Sequence, residues 1–195
     1  KTISYTIEKG EIILPETVKI YTGTPITYPE YERSVLGGSN KGNNLYSNSD
    51  IGVIVLNEPV PVTEKTKYAA LPEENFADSL KTKTNLQIIG YGQTQITPKN
   101  NGLENSLVGT ISCNSAQTQL VSGNFAGSDK YLKLTANPSQ SKGGVAFGDS
   151  GGPVIYNANN GGSSLVLAIN AYVTNSNCAG VTYHTRIDAP QVLSW

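Results

Sequence analysis

The chain has 195 residues, 37% of them hydrophobic and 15% charged, with a formal net charge of −1. This length and apolar content suit one large folded domain or two small ones and exclude wholesale disorder. Near-neutrality with scattered Lys and Arg leaves no basic stripe for nucleic acid and no polybasic patch for a membrane, and no apolar run approaches the roughly 18 residues of a membrane span.

Lys1 leads directly into β-like sequence, no Met occurs, and no cleavable signal peptide is visible, so the start reads as a processed or cut end. Short β-branched and aromatic runs then recur between turn-rich breaks, at 11–23 (EIILPETVKIYTG), 50–56 (DIGVIVL), 85–92 (NLQIIGYG), 106–112 (SLVGTIS), 153–156 (PVIY), 164–173 (SLVLAINAYV) and 181–187 (VTYHTRI). The pattern is that of an all-β sandwich or barrel. Loops rich in Asn, Gly and Ser are expected at 37–49, 97–102 and 157–164. Helical periodicity is weak: 72–81 (PEENFADSLK) has room for a turn or two, and 188–195 (DAPQVLSW) reads as the start of a terminal helix with Pro in its first turn. The polar stretch 73–83 is the best linker between two β units, 1–72 and 84–195.

Cys113 and Cys178 are too few for a disulfide scaffold and lack the CxxC spacing of zinc sites. One bridge and two thiols both stay open, because pairing depends on Cα separation. No cofactor or metal is called for.

The chemistry concentrates in FGDSGGPVIY, residues 147–156, where Ser150 stands among glycines after Asp149. A serine hydroxyl is a poor nucleophile near neutral pH until a base takes its proton. Gly148 to Gly152 also fit G-x-S-x-G, the strand-turn-helix elbow of α/β-hydrolases. Here a proline and a β run follow the serine, His184 precedes Asp188, and helices to cover a parallel sheet are lacking. The elbow fails. The bland alternative is a glycine-rich hairpin turn with an exposed serine.

GDSGGPV resembles the nucleophile region of trypsin- and chymotrypsin-like serine proteases, and further segments match that family in order. NSDIGVIVLNEPV (48–60) looks like the segment of the triad aspartate, which puts that role on Asp50. IIGYG (88–92) resembles the strand opening the second barrel, with Tyr91 where tryptophan is common. GVTYHTRI (180–187) is similar to the strand closing the specificity pocket, and DAPQVLSW to the start of the terminal helix. The resemblance spans about residues 15 to 195 and implies two Greek-key antiparallel β-barrels, the first incomplete in this chain, with a short C-terminal helix.

The family is itself the reference case for triad chemistry. The resemblance implies that Ser150 attacks the scissile carbonyl of a protein or peptide substrate. Asp50 orients the histidine, backbone N–H groups of Gly148 and Ser150 form the oxyanion hole, and Asp149 pairs with a freed amino terminus. Gly144 stands where trypsins carry the aspartate that selects Lys or Arg, so that preference is not expected. Asn170, Tyr172, Thr182 and His184 are the other expected pocket residues. His184 offers either a donor to an acidic substrate side chain or, preferably, a structural group in a pocket for a neutral one.

The match breaks at the base. The family's histidine lies upstream of its aspartate, yet residues 1–49 contain none, and His184 falls at the back of the specificity pocket. ETVKIYTG (16–23) resembles the strand just after the missing segment. The expectation is therefore that a cleaved or separate amino-terminal segment supplies the base; the alternative is a non-catalytic homologue acting as a binding or regulatory module. Cys178 also lacks its usual partner, since Val145-Ala146-Phe147 stands there, which leaves a bridge to Cys113, a bridge to the missing segment and two free thiols all open. The family further implies an exported zymogen, secreted or periplasmic.

Overall fold

The computed structural model describes residues 2–4, 6–8, 11–29, 31, 50–63, 68–94, 97–99, 102–104, 110–121, 130–157, 164–175 and 177–195. Its strands in chain order are β1 (Thr2–Ser4), β2 (Thr6–Glu8), β3 (Glu11–Ile13), β4 (Gly23–Thr27), β5 (Gly52–Leu56), β6 (Asn85–Gly90), β7 (Thr97–Lys99), β8 (Gly102–Glu104), β9 (Thr110–Ser112), β10 (Asn114–Gln119), β11 (Tyr131–Ala136), β12 (Pro153–Asn157), β13 (Ser164–Val173) and β14 (Gly180–Arg186). A single α-helical turn, α1 (Pro190–Leu193), ends the chain, with proline at its start, where a missing N–H costs nothing. The expected all-β class with one short terminal helix is what the chain adopts.

Six strands form one antiparallel sheet in the order β10-β6-β12-β13-β14-β11. The sheet curls until its two edges meet. Leu120 bridges Leu134, and the Val121 N–H donates to the Lys133 carbonyl at 3.1 Å. Closure leaves the alternating side chains facing inward. Leu86 and Ile88 of β6, Leu132 and Leu134 of β11, Val154 of β12 and Leu167 of β13 make the core, capped by Leu120, Val145 and Ala77.

The 73–83 stretch is not a free tether. It carries a 3₁₀ turn, Phe76–Ser79, fastened to the end of β14. The Asn75 N–H donates to the Asp188 carbonyl at 2.9 Å and the Ala77 N–H to its carboxylate at 2.8 Å. Arg186, buried, forks onto that same carboxylate at 2.9 and 2.7 Å and reaches Asp78 at 2.7 Å.

Before Leu71 the described strands pair only two by two. β2 pairs with β3, β4 with β5, and β1 with β9. In the β4–β5 ribbon Ile54 and Val55 are 64% and 57% exposed, and because neighbours on a strand point to opposite faces, both faces of the ribbon meet solvent. The run expected over 11–23 is broken in its middle, where the Val18 N–H turns back onto the Pro15 carbonyl. Conversely, 97–102, read as loop, supplies β7 and the start of β8. The expected loop at 37–49 lies outside the described residues, as do residues 106–109 and most of 157–164.

Candidate active site

Ser150 sits on the turn that leads into β12, and backbone bonds to β13 hold that turn. The Gly151 N–H donates to the Asn170 carbonyl at 3.0 Å, and the Asn170 N–H to the Gly152 carbonyl at 2.8 Å. Within the turn, Asp149 N–H meets the Ala146 carbonyl at 3.1 Å and Gly152 N–H the Asp149 carbonyl at 3.0 Å. Gly148 has φ of +95°, a left-handed conformation that side chains resist, so glycine is required there. Ser150 is exposed, and neither its hydroxyl nor the N–H groups of Gly148 and Ser150 have an acceptor among the described residues. Such free donors suit an oxygen that gains negative charge.

The Asp149 carboxylate turns away from that surface. One oxygen accepts the Gly92 N–H at 2.7 Å and the other the Ala146 N–H at 2.8 Å. Beside it opens a cavity of about 250 Å³ whose wall includes Gly92, Gln93, Thr94 and Gly144. Buried in this wall, Gln93 Oε1 has no hydrogen-bond partner among the described residues.

Asp50 stands just ahead of β5, and its place is set by packing far along the chain. The Tyr28 N–H donates to the Ile51 carbonyl at 3.2 Å. Tyr28 is itself buried, its hydroxyl donating to the Gln191 carbonyl at 3.2 Å and its ring meeting Trp195 edge-on at 5.2 Å. Asp50, Ile51 and Gly52 then form one wall of a cleft of about 190 Å³, while Ser150, Gly151, Ile169 and Asn170 form the other. Two residues 100 positions apart in sequence are thus brought to one cleft. Asp50 is open to solvent on one side, and partial desolvation raises its carboxyl above the ordinary range.

His184 is fully buried, away from that cleft. Its Nδ1 lies 3.0 Å from Asn170 Oδ1 and its Nε2 2.8 Å from Thr182 Oγ1. Asn170 Nδ2 already donates to the carbonyls of Ile89 and Asp149, which fixes Oδ1 as the atom facing the ring. The ring then donates from Nδ1, which leaves Nε2 to accept the Thr182 hydroxyl at 2.8 Å, a shorter contact than that hydroxyl's alternative acceptor, the Leu134 carbonyl at 3.4 Å. Burial lowers its pKa to about 3, so it is neutral.

A cavity of about 260 Å³ lies on the other side of Ser150, between the 145–148 segment and Asn170 to Val173. Of the residues expected at a substrate pocket, Asn170 and Tyr172 line this cavity, whereas Gly144, Thr182 and His184 lie outside its lining. Among the described residues its lining has no charged side chain. At Gly144 a Cβ would come within 2.2 Å of the Ala136 Cβ, so no side chain fits there. Sequence reasoning missed Phe147 and Ala171 as lining and Tyr28 as the support of Asp50. An asparagine inside the apolar strand LVLAINAYV was the one available sign that Asn170 has polar work to do. Among the described residues Cys113 and Cys178 form no bridge: Cys113 lies against the Tyr91 hydroxyl, and burial raises the pKa of Cys178 beside the Phe147 backbone.

The profile of the family described as Trypsin matches residues 16–195. No curated protein matches the chain significantly.

Proposed function

This chain belongs to the trypsin family, and on that premise we propose that it is the major part of a serine endopeptidase whose histidine comes from a segment upstream of residue 1. One observation carries the reading: Asp50 and Ser150 line the same cleft, next to two backbone donors free to bind an oxyanion. In the reaction, Ser150 Oγ bonds to the carbonyl carbon of the substrate as its proton passes to the imidazole. Asp50 holds that ring in the right tautomer and stabilises its cation. The carbonyl oxygen, now negative, takes hydrogen bonds from Gly148 and Ser150 N–H. Collapse expels the amine, which takes the proton from the imidazole, and water then frees the acyl group from Ser150 by the same path.

His184 does not serve as the base. A base must reach the serine proton within about 3.2 Å or through one water, whereas this ring is buried with both nitrogens engaged. The exposed apolar ribbon β4–β5 supports an upstream segment of a few dozen residues that covers it and completes the first barrel. Asp149 is the acid that receives a freed amino terminus; the adjoining cavity and the unpaired Gln93 oxygen support this role. The pocket, uncharged among the described residues, supports cleavage beside a neutral residue, and membership of the family supports an enzyme that is secreted or periplasmic.

Labelling with a fluorophosphonate tests the reading. The 195-residue chain alone should be nearly inert, and the protein with its upstream segment should label at Ser150 and lose the label on Ser150→Ala. Rapid labelling of the chain alone would mean that another base acts. A full-length product that never labels would make this a non-catalytic homologue.

A further inference from the structure

The Asp149–Ser150 peptide has two jobs at its opposite ends. Its N–H, on Ser150, is one of the two proposed oxyanion donors, and its C=O, on Asp149, faces inward. A trans peptide is planar with N–H and C=O antiparallel, so whatever holds the carbonyl also aims the N–H. Two donors hold it: the Gly152 N–H at 3.0 Å and the Asn170 side-chain amide at 3.2 Å.

The Asn170 side chain is 2% exposed and has no freedom to choose its orientation. Its Nδ2 is shared between the Asp149 and Ile89 carbonyls, and its Oδ1 takes the Nδ1 proton of His184. Rotating the amide by half a turn would put its NH₂ against that ring N–H and its oxygen against two carbonyls. His184 is in turn held by the Thr182 hydroxyl at 2.8 Å. The strand geometry brings the pair together, since Asn170 and His184 are register partners across β13 and β14, immediately before the bulge at Ala171.

We propose that Asn170, oriented by His184 and Thr182, is a positioning residue that aims the Ser150 N–H at the substrate's oxyanion. This rests on the endopeptidase reading and gives His184 a role other than base or pocket residue. Only the transition state carries a full negative charge on that oxygen, so the loss should fall on kcat rather than on KM.

Asn170→Leu, close in size but without the amide, and His184→Leu are measured in the full-length active protein. Each should lower kcat by about 10- to 100-fold, less than the 10²–10³ lost with an entire oxyanion donor, with KM within about 2-fold of the parent. His184→Gln keeps a donor for Asn170 and should recover most of the loss. A peptide aldehyde, whose adduct places an oxyanion in the hole, should lose affinity in step with kcat. Should the leucine variants fail to fold, Thr182→Val gives the graded version, with a smaller loss of kcat at unchanged KM. In ¹⁵N spectra of the parent, the His184 ring should show a protonated Nδ1 and a bare Nε2. Parent-like kcat in the folded Asn170 variant, or a ring protonated at Nε2 alone, overturns the proposal. A full-length parent that never turns over fails the endopeptidase reading, whereas a parent that turns over with an unaffected Asn170 variant, or with the other ring tautomer, fails this proposal alone.

Discussion

Replacing Asp188 with alanine should destabilise the fold more than any surface charge change. The carboxylate is fully buried and accepts three bonds, one from the Ala77 N–H and two from the Arg186 guanidinium, itself 3% exposed. Removing the carboxylate takes two charge-assisted bonds from a buried guanidinium and leaves the pair with Asp78, on the surface, among its partners. Breaking a buried pair in this way costs about 3–5 kcal/mol. With a urea slope of roughly 2 kcal/mol per molar, the unfolding midpoint should fall by about 1.5–2.5 M. Circular dichroism during urea titration measures it. Asp78→Ala, at the exposed end, should cost under about 1 kcal/mol. Arg186→Met combined with Asp188→Leu should recover much of the loss, because no charge is then stranded. A loss below about 1 kcal/mol for Asp188→Ala, or an equal loss for Asp78→Ala, would refute the reasoning.

Leu134→Ala, which opens space beside the Leu120 bridge that closes the barrel, should cost about 2–5 kcal/mol in the same titration. His184 has a folded pKa of about 3 against an ordinary 6.5, so the unfolded chain binds the extra proton between them. Stability from this group is therefore complete above about pH 6.5 and lost on acidification towards about pH 3, at up to about 1.4 kcal/mol per pH unit; His184→Gln should flatten that limb of the stability profile. Asp50→Asn in the active protein should cut kcat by about 10⁴-fold, as in the reference triad, with Ser150 still present. Cleavage of a peptide library should favour neutral residues, and a Lys or Arg preference would contradict the uncharged pocket.

The runs that read clearly as strands were those with a β-branched or aliphatic core face: 164–173 matches β13, and 85–92, 153–156 and 181–187 fall on β6, β12 and β14 within two residues. β10 was invisible, because NSAQTQ has the composition of a loop; it is a strand only because β6 pairs along its whole length. β11 was legible and overlooked, since YLKLTA alternates with Leu132, Leu134 and Ala136 inward. At the site, residue identities came from the motif, whereas their relations did not. Nothing in the spacing said that Asp50 and Ser150 share a cleft, or that His184 would be consumed by a hydrogen bond to Asn170. Those facts come from strand register across β13 and β14, and from a tyrosine seated against the far end of the chain.

That last contact also makes the molecule its own optical gauge. Trp195 is the sole tryptophan, so all indole emission originates at the place where the terminal turn meets Tyr28. A single helical turn is far too short to persist by itself; the indole keeps its surroundings only while Tyr28 is seated. Tyr28 in turn holds the Ile51 carbonyl, one residue beyond Asp50. A shift in tryptophan colour therefore registers whether the aspartate-bearing half is in place, and is blind to the interior of the six-stranded barrel, which contains no tryptophan.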